Sequence, residues 1–173
     1  MAGPGRMGTG AGAGAAGGRV PQAAAGPAAV RDLPAERRVV GPRRVLARGR
    51  VQAFVAEDVD LGGGRVVKRE FAAHPGAVAV IALDSRGRVL LQRQYRHPVG
   101  FELWEPPAGL LDVEGEEPLA AARRELAEEA DLLAGDWRRL ADFFTTPGGC
   151  DERIRIYLAR DLAPVPAAER FAR

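Results

Sequence analysis

The sequence predicts a layered domain of the α/β or α+β class, in which several strands accompany one central helix. Three observations support this fold class. From about Val39 onward, Val, Phe and Leu stand among polar residues in short runs that are typical of strands. Residues 77–83 are continuously apolar, as in a strand buried on both faces. Residues 117–130 place Leu and Ala at spacings of three and four, which predicts an amphipathic helix.

The other elements are predicted in order along the chain. Residues 45–61 and 65–71 flank three consecutive glycines, so we expect them to form a hairpin. Pro118 suits the first turn of the helix. Further strands are predicted at residues 89–95, 137–145 and 153–159, with turns at residues 84–87 and 147–149. Residues 161–173 are rich in Ala and Pro and show no strong pattern.

The composition excludes several kinds of partner and site. The net charge is only +2 and arginines are scattered among acids, so we expect no nucleic-acid partner. Cys150 is the only cysteine and the chain has two histidines, so a metal ion would have to be held by oxygen. The longest apolar run, residues 77–83, is too short to cross a bilayer. We therefore expect a cytoplasmic protein without a membrane partner.

Residues 1–30 differ from the rest of the chain. They are mostly Gly and Ala and lack large apolar side chains, which predicts a disordered tail before a domain at residues 31–173. Residues 12–17 fit a dinucleotide-binding glycine pattern, but neither the preceding strand nor the following helix that this pattern requires is predicted.

Acidic residues are concentrated around the predicted helix. Eight acids lie between Asp112 and Asp131. Glu125 and Glu129 are four residues apart, so they project from the same side of the helix. Two carboxylates this close repel each other by roughly 0.2–0.5 kcal/mol on an exposed helix, and a divalent cation would reverse that sign. Clustered carboxylates without His or Cys favour Mg²⁺ or Mn²⁺.

The same acids also fit a solvated helix face paired with Arg123 and Arg124, so the helix alone leaves both interpretations open. The segment before the helix favours a functional site. Residues 105–109 read Glu-Pro-Pro-Ala-Gly, which predicts a rigid turn that holds its backbone amides and carbonyls in a fixed place.

This segment resembles the Nudix box of Nudix hydrolases. The matching residues are Gly109-x6-Glu116-x7-Arg124-Glu125-Leu126-x-Glu128-Glu129-x-Asp131-Leu132. Two positions depart from the usual box: one extra residue precedes Glu116, and Asp131 stands where glycine is usual. The flanking residues 102–110 and 146–153 are similar to those of ADP-ribose pyrophosphatases, particularly actinobacterial ones.

The resemblance implies a fold and an activity. The fold would be the Nudix α/β/α sandwich with a mixed sheet, forming a homodimer through its N-terminal strands. The activity would be hydrolysis of the diphosphate bond of ADP-ribose, or of a related nucleoside diphosphate sugar, to AMP and ribose 5-phosphate. Mg²⁺, with Mn²⁺ as the other candidate, would neutralise the phosphate oxygens and activate water.

The resemblance also implies the residues of the metal site. Glu125 and Glu129 would be the principal ligands, together with the backbone carbonyl of Ala108. Glu116 would be an accessory carboxylate, and Glu128 would stand beside the ligands. The fourth residue of the predicted catalytic set is Arg124, which would hold the helix and the loop in register through ion pairs.

Residues outside the box are implied to bind the substrate. Arg96 and Glu152 match positions that contact it, and Arg69 corresponds to an arginine that reaches across a dimer interface. Trp104 could stack on a base, but an aromatic residue in an apolar stretch is expected in the core.

The end of the sequence leaves alternatives open. Nudix hydrolases of this kind continue with another strand and a helix, so we expect a domain that is incomplete at its C-terminus and impaired in catalysis. A hydrolase for another nucleoside diphosphate substrate and a non-catalytic nucleotide-binding module are the two other hypotheses. The intact Arg-Glu-Leu-x-Glu-Glu sequence favours an enzyme, since a pure binder needs no metal-holding glutamates.

Overall fold

The computed structural model describes residues 34–170, and the predicted tail at residues 1–30 lies outside them. The described residues contain nine strands, one α-helix and one short 3₁₀ helix. All of these elements lie in one compact unit that begins at Arg37. No helix of residues 34–170 has the length and apolar character needed to cross a membrane.

The first three strands form an antiparallel sheet in the order β1-β2-β3. They are β1 (Val39–Arg48), β2 (Ala53–Asp60) and β3 (Val66–Ala73). The hairpin predicted around the three glycines is confirmed, and all three of them have the positive φ angles that favour glycine. The predicted run at residues 45–61 is two strands rather than one, because the chain turns at Gly49, whose N–H donates to the carbonyl of Gln52 at 2.8 Å.

A second sheet of four strands carries the core. Its order is β7-β4-β9-β8, with bounds β4 (Ala77–Ala82), β7 (Ala108–Leu110), β8 (Leu132–Phe144) and β9 (Arg153–Pro164). β4 and β9 are parallel and the other pairs are antiparallel, so the predicted mixed sheet is confirmed. The strand predicted at residues 153–159 continues to Pro164, into the segment without a strong sequence pattern, because β8 pairs with β9 as far as that residue.

β5 (Gln92–Arg96) and β6 (Phe101–Glu105) form a separate two-stranded hairpin. The prediction of one turn over residues 105–109 is wrong, because residue 105 ends β6 and residues 108–110 pair with β4. The expectation of a core position for Trp104 is also wrong, since its side chain is 66% exposed. The β5–β6 pairing leaves this ring outside the core, with the guanidinium of Arg93 6.0 Å from its centroid.

The helix α1 (Pro118–Ala130) covers one face of the four-stranded sheet. Leu126 is fully buried there, in a cluster that also contains Val78, Val80 and Tyr157. Asp131 ends the helix with a left-handed backbone, φ 52°, which Asp tolerates better than most residues. Residues 34–170 contain this one α-helix, so they show one helical layer of the predicted sandwich.

Candidate active site

Glu125 lies against the backbone of β7 at Gly109. Its side chain is 12% exposed. A Cβ atom at Gly109 would lie 1.9 Å from Cδ and 2.0 Å from Oε1 of this glutamate, so only glycine leaves space for the carboxylate. The first residue of the box motif therefore serves the close approach of helix and strand.

Glu129 reaches the same strand one helical turn later. Its Oε2 atom accepts a hydrogen bond from the backbone N–H of Ala108 at 3.0 Å and another from the side-chain amide of Gln92 at 2.7 Å. Because side chains four residues apart share a helix face, both glutamates of the predicted pair meet the edge of β7.

The register of β7 orients the backbone of Ala108. The N–H of Val80 donates to the carbonyl of Pro107 at 2.8 Å, and the N–H of Leu111 donates to that of Gly76 at 3.1 Å. Between these two bonds Ala108 stands opposite Ala79 in a non-hydrogen-bonded pair, so both of its backbone groups face away from β4. Since its N–H meets Glu129, its carbonyl points from the same edge toward the helix.

Arg124 joins three of the predicted glutamates. Its Nε and Nη2 atoms each donate to Glu116 at 3.0 Å, and its Nη1 atom donates to Glu125 at 2.7 Å and to Glu128 at 3.2 Å. The two-pronged pairing lowers the pKa of Glu116, and the same bonds raise the pKa of Arg124. The loop before the helix is thereby fastened to the helix itself.

The electrostatics of Glu125 fit a site for a cation. Burial raises its pKa most; the ion pair with Arg124 opposes this, and the charges of Glu129 and Glu128 raise the pKa further. The carboxylate oxygens of Glu125 and Glu129, which lie at this edge, are donors that suit a hard divalent cation.

The described residues nevertheless do not assemble a complete set of metal ligands. Among residues 34–170, no group of three Asp, Glu, His or Cys side chains is placed to hold a metal ion. Glu116, Glu125 and Glu128 all pair with Arg124, while Glu129 meets the backbone N–H of Ala108. The predicted ligand roles of these residues remain predictions.

Arg96 lies at the end of β5 and is paired with Glu105. Its Nε atom donates to both carboxylate oxygens of Glu105 at 3.0 Å. This pairing lowers the pKa of Glu105, while the pKa of Arg96 is raised first by Glu105 and further by the charges of Glu129 and Glu152. The charges of Glu129 and Glu152 therefore act on Arg96, the predicted substrate-binding arginine.

Glu152 is braced from two sides. Its Oε2 atom accepts a hydrogen bond from the hydroxyl of Thr145 at 2.7 Å, and its Oε1 atom lies 3.7 Å from Nδ1 of His74. The side chain of Asp151 accepts a hydrogen bond from the N–H of His74 at 2.8 Å. These contacts fix the loop that carries Glu152 against the end of β3.

Backbone hydrogen bonds hold the same loop. The N–H of Ala72 donates to the carbonyl of Gly149 at 2.9 Å, and the N–H of Asp151 donates to the carbonyl of Ala72 at 3.1 Å. Arg69, on the same strand β3, is exposed opposite Glu57. No hydrogen bond or ion pair within residues 34–170 joins Arg69 to the other predicted site residues.

Sequence reasoning missed three residues that support the site. Glu105 pairs with Arg96, Thr145 braces Glu152, and Gln92 contacts Glu129 across 37 positions of sequence. The opposite charges of Arg96 and Glu105 on neighbouring strands were a usable signal. No local sequence pattern indicates that Gln92 contacts Glu129.

Comparison with known proteins identifies the relatives of this chain. The profile of the NUDIX domain family matches residues 73–170. The chain is similar to an ADP-ribose pyrophosphatase of Mycobacterium tuberculosis, with 47% identity over 72% of this chain and 60% of that protein. It is also similar to an ADP-ribose pyrophosphatase of Bacillus subtilis, with 38% identity over 74% of this chain and 68% of that protein.

A solved structure supports the fold. The crystal structure of an ADP compounds hydrolase aligns with a TM-score of 0.59 and 24% identity, over 78% of this chain and 72% of that chain. At this identity the likeness concerns the fold alone. The chain spans 60% of the length of the M. tuberculosis relative.

Proposed function

Because the chain belongs to the NUDIX domain family, we propose that it hydrolyses the diphosphate bond of ADP-ribose to AMP and ribose 5-phosphate in a metal-dependent reaction. The observation that carries the proposal is the placement of Glu125 and Glu129 together at the edge of β7, where the lack of a side chain at Gly109 leaves room for the Glu125 carboxylate. The two relatives named ADP-ribose pyrophosphatase support the choice of substrate.

Divalent cations are the general cofactors of this family, and we propose Mg²⁺, with Mn²⁺ as a substitute. Glu125, Glu129 and the carbonyl of Ala108 would hold the ion, and Glu116 and Glu128 would be accessory carboxylates. The bound ion would neutralise diphosphate oxygens and make a water molecule more nucleophilic. Arg124 keeps the glutamates in place by pairing with Glu116, Glu125 and Glu128.

The substrate would meet side chains from three other elements. The guanidinium of Arg96 suits the two-pronged recognition of a phosphate group, for which it would exchange or share its bond with Glu105. Glu152, held by Thr145, would accept hydrogen bonds from sugar hydroxyls. Arg69 would reach the site of a partner subunit.

We propose a homodimer formed through the N-terminal strands. Every residue of β1 is exposed, and this strand lies at the edge of its sheet. Its apolar side chains are 38–51% exposed: Val39, Val40, Val45 and Leu46. An exposed apolar edge strand is a template for pairing with another chain. Light scattering should give twice the mass of the chain, and a monomer would contradict the proposal.

The cytoplasm is the proposed location, supported by the single cysteine.

The activity is tested by phosphorus NMR of ADP-ribose incubated with the purified chain. AMP and ribose 5-phosphate should appear with Mg²⁺ and should not appear with EDTA. The variant Glu129→Gln keeps the shape of the side chain but removes its charge, so product should fall by at least about a hundredfold if Glu129 holds the ion. Glu114→Gln, an exposed acid of the preceding loop, is the matched control. A folded wild-type protein that forms no product would contradict the proposal.

A GDP-linked or UDP-linked sugar in the same assay separates the substrates. Faster hydrolysis of either one than of ADP-ribose would keep the reaction class and replace the nucleotide.

A further inference from the structure

Gln92 is the residue of the β5–β6 hairpin that contacts the glutamates of α1. Its side-chain amide donates to Oε2 of Glu129 at 2.7 Å, which is a short and strong geometry for an amide and a carboxylate. Gln92 is half-buried, whereas Gln94, two residues later on the same strand, is exposed.

The two ends of the hairpin meet at this carboxylate. Gln92 is the first residue of β5 and stands opposite Glu105, the last residue of β6. Pro106 and Pro107 then lead directly to Ala108, whose N–H donates to the same Oε2 atom. Glu129 is therefore held by a side chain from one end of the hairpin and by a backbone amide that follows the other end.

This arrangement restricts the last torsion of the Glu129 side chain, which sets the plane of its carboxylate. Two donors on one oxygen, from directions fixed by β5 and β7, define the plane and the position of the Glu129 side chain. Hydrogen bonds of this kind orient ligating carboxylates, and their removal typically weakens metal binding by about 10- to 100-fold.

We infer that Gln92 is a positioning residue that orients the Glu129 carboxylate for a divalent cation. The inference rests on the proposed function, because it assumes that Glu129 is a metal ligand. The role assigned to Gln92 is to act on the ion through its bond to Glu129 rather than to hold the ion itself. It also ties the strand that carries Arg96 to the helix that carries the glutamates.

The test is the affinity of the full chain for Mn²⁺ without nucleotide, measured by electron paramagnetic resonance of the free ion. Gln92→Met keeps the length of the side chain and removes the donor. We expect its dissociation constant to rise by about 10-fold or more. Gln94→Met, the same change on the same strand, should leave the constant within about twofold of the wild-type value because Gln94 is exposed.

A second readout separates positioning from a general loss of structure. Raising the Mn²⁺ concentration should restore the kcat of Gln92→Met toward the wild-type value, which would not happen if the site were deformed. Circular dichroism checks the fold, and Gln92→Leu replaces the methionine variant if that one unfolds. An unchanged or tighter Mn²⁺ constant in a folded variant would overturn the inference alone. A wild-type protein that binds no Mn²⁺ would overturn both the inference and the proposed function.

Discussion

The four-stranded and the three-stranded sheets differ in what surrounds them. α1 covers one face of the four-stranded sheet, and the fully buried side chains Val78, Val80 and Leu126 meet there. In the three-stranded sheet every residue of β1 is exposed. Ion pairs cross from β1 to β2 instead: Arg43 with the buried Glu57, and Arg44 with Asp58. The described unit therefore has one sheet whose apolar core lies under a helix, and another in which fully buried residues are confined to β2 and ion pairs join its exposed edge strand β1.

Leu126→Ala should have the largest effect on stability. The side chain is fully buried under the helix, so its removal leaves a cavity that costs about 2–5 kcal/mol. Urea denaturation followed by circular dichroism measures the loss. Val45→Ala on β1, where the side chain is 50% exposed, should cost no more than about 0.5 kcal/mol. Equal losses in the two variants would show that the contrast between the sheets is wrong.

Gly109→Ala should affect stability less and activity more. The added methyl group would overlap the carboxylate of Glu125, so the side chain must leave β7 or the strand must shift, at a cost of about 1–3 kcal/mol. Hydrolysis of ADP-ribose should fall by more than this loss of stability explains. Gly148→Ala is the matched control, since a Cβ there meets nothing within 4 Å. Full activity in Gly109→Ala would argue against a functional role of the Glu125 position.

Thr145→Val tests the brace on Glu152. Removing a hydrogen bond to a charged group costs about 1.5–3 kcal/mol of stability when the charge stays in place, and a Glu152 side chain that is no longer held should raise KM. The kcat should change little, because Glu152 is proposed to bind the sugar rather than the reacting phosphate. Steady-state kinetics measure both constants. Thr146→Val should behave as wild type, since its described contacts use the backbone carbonyl.

The smallest effect is expected at the ion pair between Arg44 and Asp58 in the three-stranded sheet, where stability should depend on pH. The side-chain hydrogen bond from Arg44 holds the pKa of Asp58 below its ordinary value. A depressed carboxyl pKa contributes stability above the unfolded value of about 3.9, and that contribution is lost as the pH falls through the folded pKa. Asp58→Asn should therefore melt slightly below wild type at pH 7.

The difference in melting temperature should shrink as the pH falls below the unfolded value of about 3.9, and it should vanish below the folded pKa, where the carboxyl group is protonated in both states. Glu114→Gln, which removes the same charge from an exposed loop, should show no such pH dependence. A difference that persists in acid would mean that Asp58 acts through something other than its charge.

The sequence predicted the parts of the fold that follow from local patterns. The continuous apolar run of β4 and the helical spacing of Leu119, Ala122 and Leu126 each report burial directly. β7 was not predicted from the sequence, because its three residues, Ala-Gly-Leu, are too few to show a periodicity. Their strand geometry comes from pairing with β4. Trp104 was misplaced because apolar character does not say whether a strand has a neighbouring layer.

The residues of the candidate site that belong to a sequence motif were predictable. Contacts between elements far apart in the sequence were not. The box motif led to Glu116, Arg124 and the three glutamates that follow, and the structure brings these side chains into contact with each other or with β7. The contact of Gln92 with Glu129 depends on the path of the hairpin, which no short pattern encodes.

The loop that carries Glu152 is fastened to β3 by main-chain bonds between Ala72, Gly149 and Asp151. Bonds of this kind do not depend on which side chains the loop carries. Gly148, where an added Cβ meets nothing within 4 Å, can therefore be exchanged without releasing the loop, provided that the backbone keeps its path. For protein engineering, substitutions in this loop are a way to vary substrate preference, because the backbone bonds to β3 keep each new side chain in the same position.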